Sequence, residues 1–188
     1  MKHGYCDLRS PARALLRRDS LPRATGLAAE PAGVARLGLA DRLFEQLARS
    51  WLGFARRHTP FFPFLHERGY LSGQELWLIW QGGEAVGYAV AVAGRGLLRV
   101  ESMLLAGQVD PVAAVAALAG GAGTPYVQVR LDRPGDAARF AAAGAAVAAE
   151  DWGVFMVKPL AADATVAEFK HRYGVDRDGF LISYLDVT

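Results

Sequence analysis

The chain has 188 residues, of which 52% are hydrophobic and 21% are charged, and its formal net charge is +2. This composition indicates a globular protein, and the small net charge gives no general argument for binding nucleic acid or an anionic membrane. The single cysteine, Cys6, excludes an intramolecular disulfide and a thiolate metal cluster. No apolar stretch of about 20 residues runs without polar breaks, so we expect no membrane span. We therefore expect a protein of the reducing cytoplasm, without a membrane or nucleic-acid partner.

The first 31 residues are rich in arginine and are interrupted by proline. Residues 12–18 are compatible with a short helix, but Pro22 and Pro31 interrupt the segment that follows. We predict a basic linker or arm over residues 1–31, which is either a solvated segment or a docking segment for another domain or an acidic partner.

The next segment predicts a short strand, a helix and an aromatic loop. Residues 33–39 alternate in polarity, and Asp41 is placed to start a helix whose apolar face continues to about residue 57. Prolines break residues 58–64, which predicts a loop or short turn. The aromatic residues of this region either pack on the sheet or form a lid or a protein interface. They are Phe61, Phe62, Phe64 and Tyr70.

A run of hairpins follows. Gly82 and Gly83 predict a tight turn with positive φ angles, and 94–96 predicts a second turn. The strands that these turns connect are predicted over 75–80, 85–92 and 97–105.

The second half alternates helices and strands. Helices are predicted over 113–118, 134–143 and 164–173, and strands over 126–131, 145–149, 152–157 and 180–187. Because hairpins come first and strand–helix–strand units second, the order predicts an α+β fold with helices on both faces of a mixed sheet.

Three segments together resemble the GNAT N-acetyltransferase superfamily. Residues 75–92 resemble its strand–glycine turn–strand hairpin, 137–145 the helix that ends in its fYxxxGF motif, and 154–160 its last core strand. The resemblance covers about 32–160 and is closest to the degenerate C-terminal half of tandem-GNAT proteins. It implies a GNAT-like mixed, mostly antiparallel, splayed sheet, preceded by the arm and followed by a C-terminal helix and strand extension over 161–188.

The resemblance also implies where acetyl-CoA would bind. In the family, a (Q/R)xxGx(G/A) loop at a helix N-terminus holds the pyrophosphate through backbone N–H groups. At 107–115 the central glycine is replaced by Pro111, which has no N–H, and Asp110 is placed as an N-cap with proline at the first helical position. The residues matching the cofactor loop are Gln108, Val109, Val112 and Ala113.

The resemblance implies a candidate catalytic base in this chain but no proton-donating side chain at the position of the usual catalytic acid. Glu101 lies on the strand before the loop, where many family members carry a basic glutamate; its alternative interpretation is an outward strand residue or a partner of Arg99 or Arg130. The tyrosine that often serves as the acid corresponds to Phe140, which has no proton to give.

Other constellations predict no site. His58 and His66 lie near Glu67 but lack an HExxH pattern, so we predict no metal site. The glycines at 120–123 follow a helix instead of opening one, unlike a dinucleotide loop.

Three functional hypotheses remain. The first is a GNAT-superfamily domain with a degenerate acetyl-CoA site, which requires no cofactor and acts by association as a homodimer or with another GNAT domain. The second is an active acyl-CoA-dependent N-acyltransferase that uses acetyl-CoA, with Glu101 as the base and water as the acid. The third is a small-ligand binder that uses the cleft between the parting strands.

Overall fold

The computed structural model describes residues 6–9, 11–23, 26–49, 60–133, 135–149, 155–157, 165–173 and 175. Its strands are β1 (Cys6–Arg9), β2 (Ala12–Arg17), β3 (Leu27–Pro31), β4 (Leu76–Gln81), β5 (Glu84–Gly94), β6 (Leu97–Leu105), β7 (Tyr126–Leu131), β8 (Ala146–Ala149) and β9 (Phe155–Val157). Its α-helices are α1 (Leu37–Ala48), α2 (Phe61–Glu67), α3 (Pro111–Ala122), α4 (Asp136–Ala142) and α5 (Val166–Tyr173).

Seven strands form one sheet in the order β3-β4-β5-β6-β7-β2-β8. The pair β6 and β7 is parallel, and the other neighbouring strands are antiparallel. One apolar cluster joins this sheet to α3 and α4, and a second joins it to α1 and α2. The predicted α+β fold, with a mixed, mostly antiparallel sheet and helices on both faces, is therefore confirmed.

The N-terminal segment supplies an inner strand of this sheet. Strand β2 pairs with β7 on one side and with β8 on the other, so the prediction of a helix within an arm is wrong for these residues. Ala14 and Leu16 are buried, whereas Leu15 is exposed. This period of two is the pattern of a strand. Strand β3 also lies within the segment predicted as an arm and pairs with β4.

Helix α1 begins earlier than Asp41. Val34–Arg36 forms a 3₁₀ turn, and α1 follows it from Leu37, so the predicted strand over 33–39 is wrong. Asp41 is buried within α1, where its Oδ1 accepts a hydrogen bond of 3.1 Å from the backbone N of Phe62. Its carboxylate therefore accepts a hydrogen bond from a backbone N–H group in the first turn of α2, which has no acceptor within that helix and is distant in sequence from Asp41.

Helix α2 replaces part of the predicted loop. Pro60 precedes the helix and Pro63 lies in its first turn, where a residue needs no backbone N–H because no intrahelical acceptor is available. Proline there is compatible with a helix start. The predicted continuation of α1 to residue 57 lies outside the described residues.

The late strands do not pair with each other. Strands β8 and β9 lie within the strands predicted over 145–149 and 152–157; β8 pairs with β2, and β9 pairs with β1 in a separate two-stranded sheet. Helix α5 lies within the predicted helix at 164–173. The strand predicted over 180–187 lies outside the described residues, and the C-terminal extension over 161–188 stays a prediction.

A close approach between α3 and β3 yields a test of the packing. A Cβ added at Gly121 would clash with the backbone carbonyl oxygen of Ala29, whereas one added at Gly120 meets nothing within 4 Å. Gly121→Ala should therefore lower the free energy of unfolding by about 1–3 kcal/mol. Gly120→Ala should raise it by about 0.5–1 kcal/mol, because alanine favours the helix. Urea unfolding of both variants checks this; a stabilised Gly121→Ala protein would contradict the packing of α3 on β3.

Candidate functional site

The parallel strands β6 and β7 part in the middle of the sheet. They pair from Leu97 with Tyr126 to Val100 with Val129. Strand β6 then continues to Leu105, and in the described part of the chain it has no further partner on its β7 side. The sheet is therefore splayed, and the gap opens toward the junction between β6 and α3.

A β-bulge lies where the strands part. On β5, Val90 pairs with Ser102 and Ala91 pairs with Val100, so Glu101 is an extra residue in β6. A bulge bends its strand and re-aims the side chain at the extra position. The candidate base, Glu101, therefore lies at the apex of the gap, the point where the pairing of β6 with β7 ends.

The Glu101 carboxylate is occupied by an arginine from β2. Arg13 Nη2 donates a hydrogen bond of 3.0 Å to Glu101 Oε2, and Arg13 Nη1 lies 3.5 Å from Gln128 Oε1. The partner is therefore neither Arg99 nor Arg130, the two that the sequence offered; Arg130 pairs with Asp132 at 3.2 Å. The Arg13–Glu101 bridge is half-buried, with side-chain exposures of 18% and 21%.

Sequence reasoning missed Arg13 as a site residue. Glu101 lies 88 positions away along the chain, so no local spacing connects the two residues. The available signal is the period-two burial pattern of residues 12–17, which places Arg13 on the opposite face from Ala14 and Leu16.

The start of α3 is capped by its own acidic residue. Asp110 Oδ1 accepts from the backbone N of Val112 at 3.4 Å, and Oδ2 accepts from that of Ala113 at 3.1 Å. The backbone N of Ala114 donates to the Asp110 carbonyl oxygen at 3.0 Å. Pro111, at the first helical position, has no N–H. The predicted N-cap is confirmed, and Asp110 binds the backbone N–H groups of the first turn.

The four residues that match the cofactor loop differ in exposure. Gln108 is exposed and Ala113 is half-buried. Val109 and Val112 are 6% and 5% exposed and belong to the core beneath α3. Only two of the four side chains therefore reach the surface at this junction.

Phe140, which corresponds to the family's tyrosine, and the nearby tyrosine of β7, Tyr126, both lie away from the gap. Phe140 of α4 is buried in the same core as α3. Tyr126 is exposed, but it begins β7 and pairs with Leu97 at the closed end of the splay. Neither ring therefore lies beside the carboxylate of Glu101.

The aromatic cluster of α2 is divided between core and surface. Phe62 is buried and makes edge contacts with Phe61 and Tyr88, at centroid distances of 5.4 and 5.1 Å. Phe64 and Tyr70 are exposed. Phe62 therefore packs on the sheet, and the alternative role, a lid or a protein interface, stays a prediction for Phe64 and Tyr70.

Two exposed groups have altered pKa values. Hydrogen bonding to Asp19 raises the pKa of Arg17, and hydrogen bonding from Thr165 lowers the pKa of Glu168. Among the described residues, no three His, Cys, Asp or Glu side chains lie together in a way that would hold a metal ion. None of the described helices is long and apolar enough to cross a membrane.

No protein-family model matches the chain, and no curated protein matches it. Solved structures do. The chain is 19% identical to a GCN5-related N-acetyltransferase from Sphaerobacter thermophilus, with a TM-score of 0.50, covering 79% of this chain and 51% of that one. A probable N-acyltransferase of unknown function from Enterococcus faecalis V583 gives a TM-score of 0.54 at 16% identity, covering 82% of this chain and 40% of that one.

A conserved protein of unknown function from Staphylococcus epidermidis is also similar, with a TM-score of 0.52 at 11% identity. That match covers 78% of this chain and 60% of the other. At these identities the likeness is one of fold, and it is the GNAT fold that the sequence predicted. The chain spans about half the length of the Sphaerobacter protein.

Proposed function

We propose that this chain is an N-acetyltransferase-like domain whose acetyl-CoA site is closed and which acts by associating with a second copy or another GNAT-fold domain. The observation that carries the proposal is the cap of α3. The backbone N–H groups that would hold a pyrophosphate are bound to the carboxylate and carbonyl of Asp110.

Phosphate binding at this helix start would have two costs. A phosphate oxygen would have to displace the Asp110 carboxylate from Val112 and Ala113, and Pro111 supplies no donor in exchange. The displaced carboxylate would also repel the ligand, by on the order of 1–4 kcal/mol at about 4–6 Å in a partly shielded site. A helix N-terminus attracts anions, but at α3 that position is already taken by the carboxylate of Asp110.

The catalytic groups support the same proposal. Glu101 is bound to Arg13 at 3.0 Å, so a substrate ammonium would compete with a guanidinium for the carboxylate. Phe140 has no ionisable proton and is buried. A transfer reaction needs a base for the amine and a proton for the leaving thiolate; of the described residues at these two positions, Glu101 is ion-paired and Phe140 cannot donate a proton.

Two observations support association. The helices α1 and α2 pack over β4, β5 and β6, whereas on β2 and β7 the exposed residues include Leu15 and Tyr126. A contiguous exposed apolar patch marks a protein interface, and we propose that Leu15 and Tyr126 contribute to one. The solved structures of this fold are also longer than this chain.

Thermal unfolding with acetyl-CoA tests the closed site. A site with a Kd of about 10 µM would stabilise the folded protein by about 2.7 kcal/mol at about 1 mM ligand. We expect no change in the unfolding midpoint. A ligand-dependent rise of several degrees would contradict the proposal.

Sedimentation velocity tests the association. We expect a concentration-dependent dimer, or a complex with a GNAT-fold partner, that Leu15→Asp weakens. Val34→Asp is the control, because Val34 is also exposed but lies in the turn before α1. A protein that remains monomeric alone and with such partners would contradict the association role.

A second candidate is an active acyl-CoA-dependent N-acyltransferase. The position of Glu101 favours it, because this carboxylate lies on the bulge where β6 and β7 part. If acetyl transfer to an amine is observed, Glu101→Gln should lower the rate by more than about tenfold. An unchanged rate would remove Glu101 from that mechanism.

A further inference from the structure

The Arg13–Glu101 bridge crosses the gap between the parted strands. The sheet order is β6-β7-β2, so the bridge joins strands two spacings apart, about 10 Å where strands are paired. Gln128 of β7 lies between them and contacts Arg13 at 3.5 Å. The side chains of three strands therefore meet at the apex of the splay.

The bridge lies on the face opposite α3. Ala14 and Leu16 on β2, and Val127 and Val129 on β7, belong to the core beneath α3. Side chains alternate along a strand, so Arg13 and Gln128 point to the other face. The gap between β6 and β7 is therefore closed by a different group on each side. The capped start of α3 closes it at the β6–α3 junction, and the Arg13–Glu101 bridge closes it on the opposite face of the sheet.

We infer that Arg13 determines whether the gap between β6 and β7 admits an extended acyl-thioester ligand, and that it excludes one by holding Glu101 across the apex. This inference rests on the proposed function, in which the acetyl-CoA site is closed. Among the described residues β6 pairs with β7 only as far as Val100, so an extended ligand that entered the splay would lie along the β6 segment from Glu101 to Leu105. The half-buried ion pair lies at the apex of that segment, and we expect a ligand seated there to displace it.

Arg17 provides a matched comparison on the same strand and the same face. It is four residues from Arg13 and is also ion-paired, with Asp19 at 2.5 Å. That pair is highly exposed, with side-chain exposures of 67% and 65%, and joins residues close in sequence. Replacing Arg17 with a neutral residue removes one positive charge, as replacing Arg13 does, but leaves the Arg13–Glu101 bridge in place.

A set of variants separates the two closures, with acetyl-CoA binding measured by titration calorimetry. Asp110→Gly with Pro111→Ala frees the first turn of α3 and restores one N–H donor. Adding Arg13→Gln to this pair should tighten acetyl-CoA binding at least about tenfold relative to the pair alone. Adding Arg17→Gln in place of Arg13→Gln should leave the affinity unchanged. Adding Glu101→Ala to the pair, which removes the acceptor of the bridge on β6, should reproduce the effect of Arg13→Gln.

The outcomes distinguish this inference from the proposed function. Equal acetyl-CoA affinity with and without Arg13→Gln, or the same gain from Arg17→Gln, would overturn the role of Arg13 while leaving the proposed function intact. No binding by either bridge-breaking combination, with cooperative unfolding showing that each is folded, would also overturn it. Saturable binding by the unmodified protein would instead overturn the proposed function.

Discussion

Replacing Leu16 with alanine is expected to lower the free energy of unfolding by about 2–5 kcal/mol. Leu16 is 2% exposed on an inner strand and packs in the core beneath α3. The loss combines the transfer free energy of the removed methyl groups with the cavity that remains. Urea unfolding followed by far-ultraviolet circular dichroism measures it, provided that the slope of the transition is unchanged.

Leu15 is the matched control for this substitution. It is the preceding residue on β2 and the same residue type, but it is 44% exposed on the opposite face. Leu15→Ala should change the free energy of unfolding by no more than about 0.5 kcal/mol. Equal decreases in the free energy of unfolding at the two positions would mean that residues 12–17 do not form an inner strand. The position of Arg13 beside Glu101 would then be wrong as well.

Replacing Phe140 with alanine is expected to cost about 3–5 kcal/mol of stability. The ring is fully buried between α4 and the sheet. Phe140→Tyr would bury a hydroxyl group in this apolar core and should cost about 1–3 kcal/mol. The same unfolding titrations apply, with an acetyl-transfer assay on the tyrosine variant.

Phe64 is the control for the aromatic truncation, because it is an exposed phenylalanine on α2. Phe64→Ala should lower stability by about 0.5 kcal/mol or less. We expect no acetyl transfer from Phe140→Tyr, since the new hydroxyl would lie in the core. Activity gained by that variant would show that position 140 faces the gap, contrary to its burial.

Local patterns predicted the central elements of the fold. The turn at 94–96 predicts a strand over 97–105 and alternating polarity predicts one over 126–131, and β6 and β7 occupy those residues. Gly82 and Gly83 both have positive φ angles, as the tight turn between β4 and β5 requires. Each of these features depends on residues close in sequence, which is why the sequence alone was enough.

The elements that were missed depend on distant partners. Residues 12–17 carry arginines four positions apart, which suit a helix face as well as a strand, and the strand is selected by pairing with β7 and β8. The start of α2 depends on Asp41, 21 positions away. Tertiary contacts of this kind override local propensity.

The candidate site divides in the same way. The cap at Asp110 and Pro111 is local, and the residues themselves predict it. The bridge from Arg13 to Glu101 depends on β2 lying next to β7, which follows from the sheet order and not from any motif. The sequence therefore identified Glu101 but not the residue that binds it.

Titration calorimetry of the unmodified protein with acetyl-CoA tests the central claim, that the start of α3 is closed to the coenzyme phosphates. We expect no saturable heat at acetyl-CoA concentrations up to about 1 mM, which means a Kd above about 1 mM and a binding free energy weaker than about 4 kcal/mol. Saturable binding with a Kd of about 1 µM, weakened when Gln108 is replaced with alanine, would contradict it.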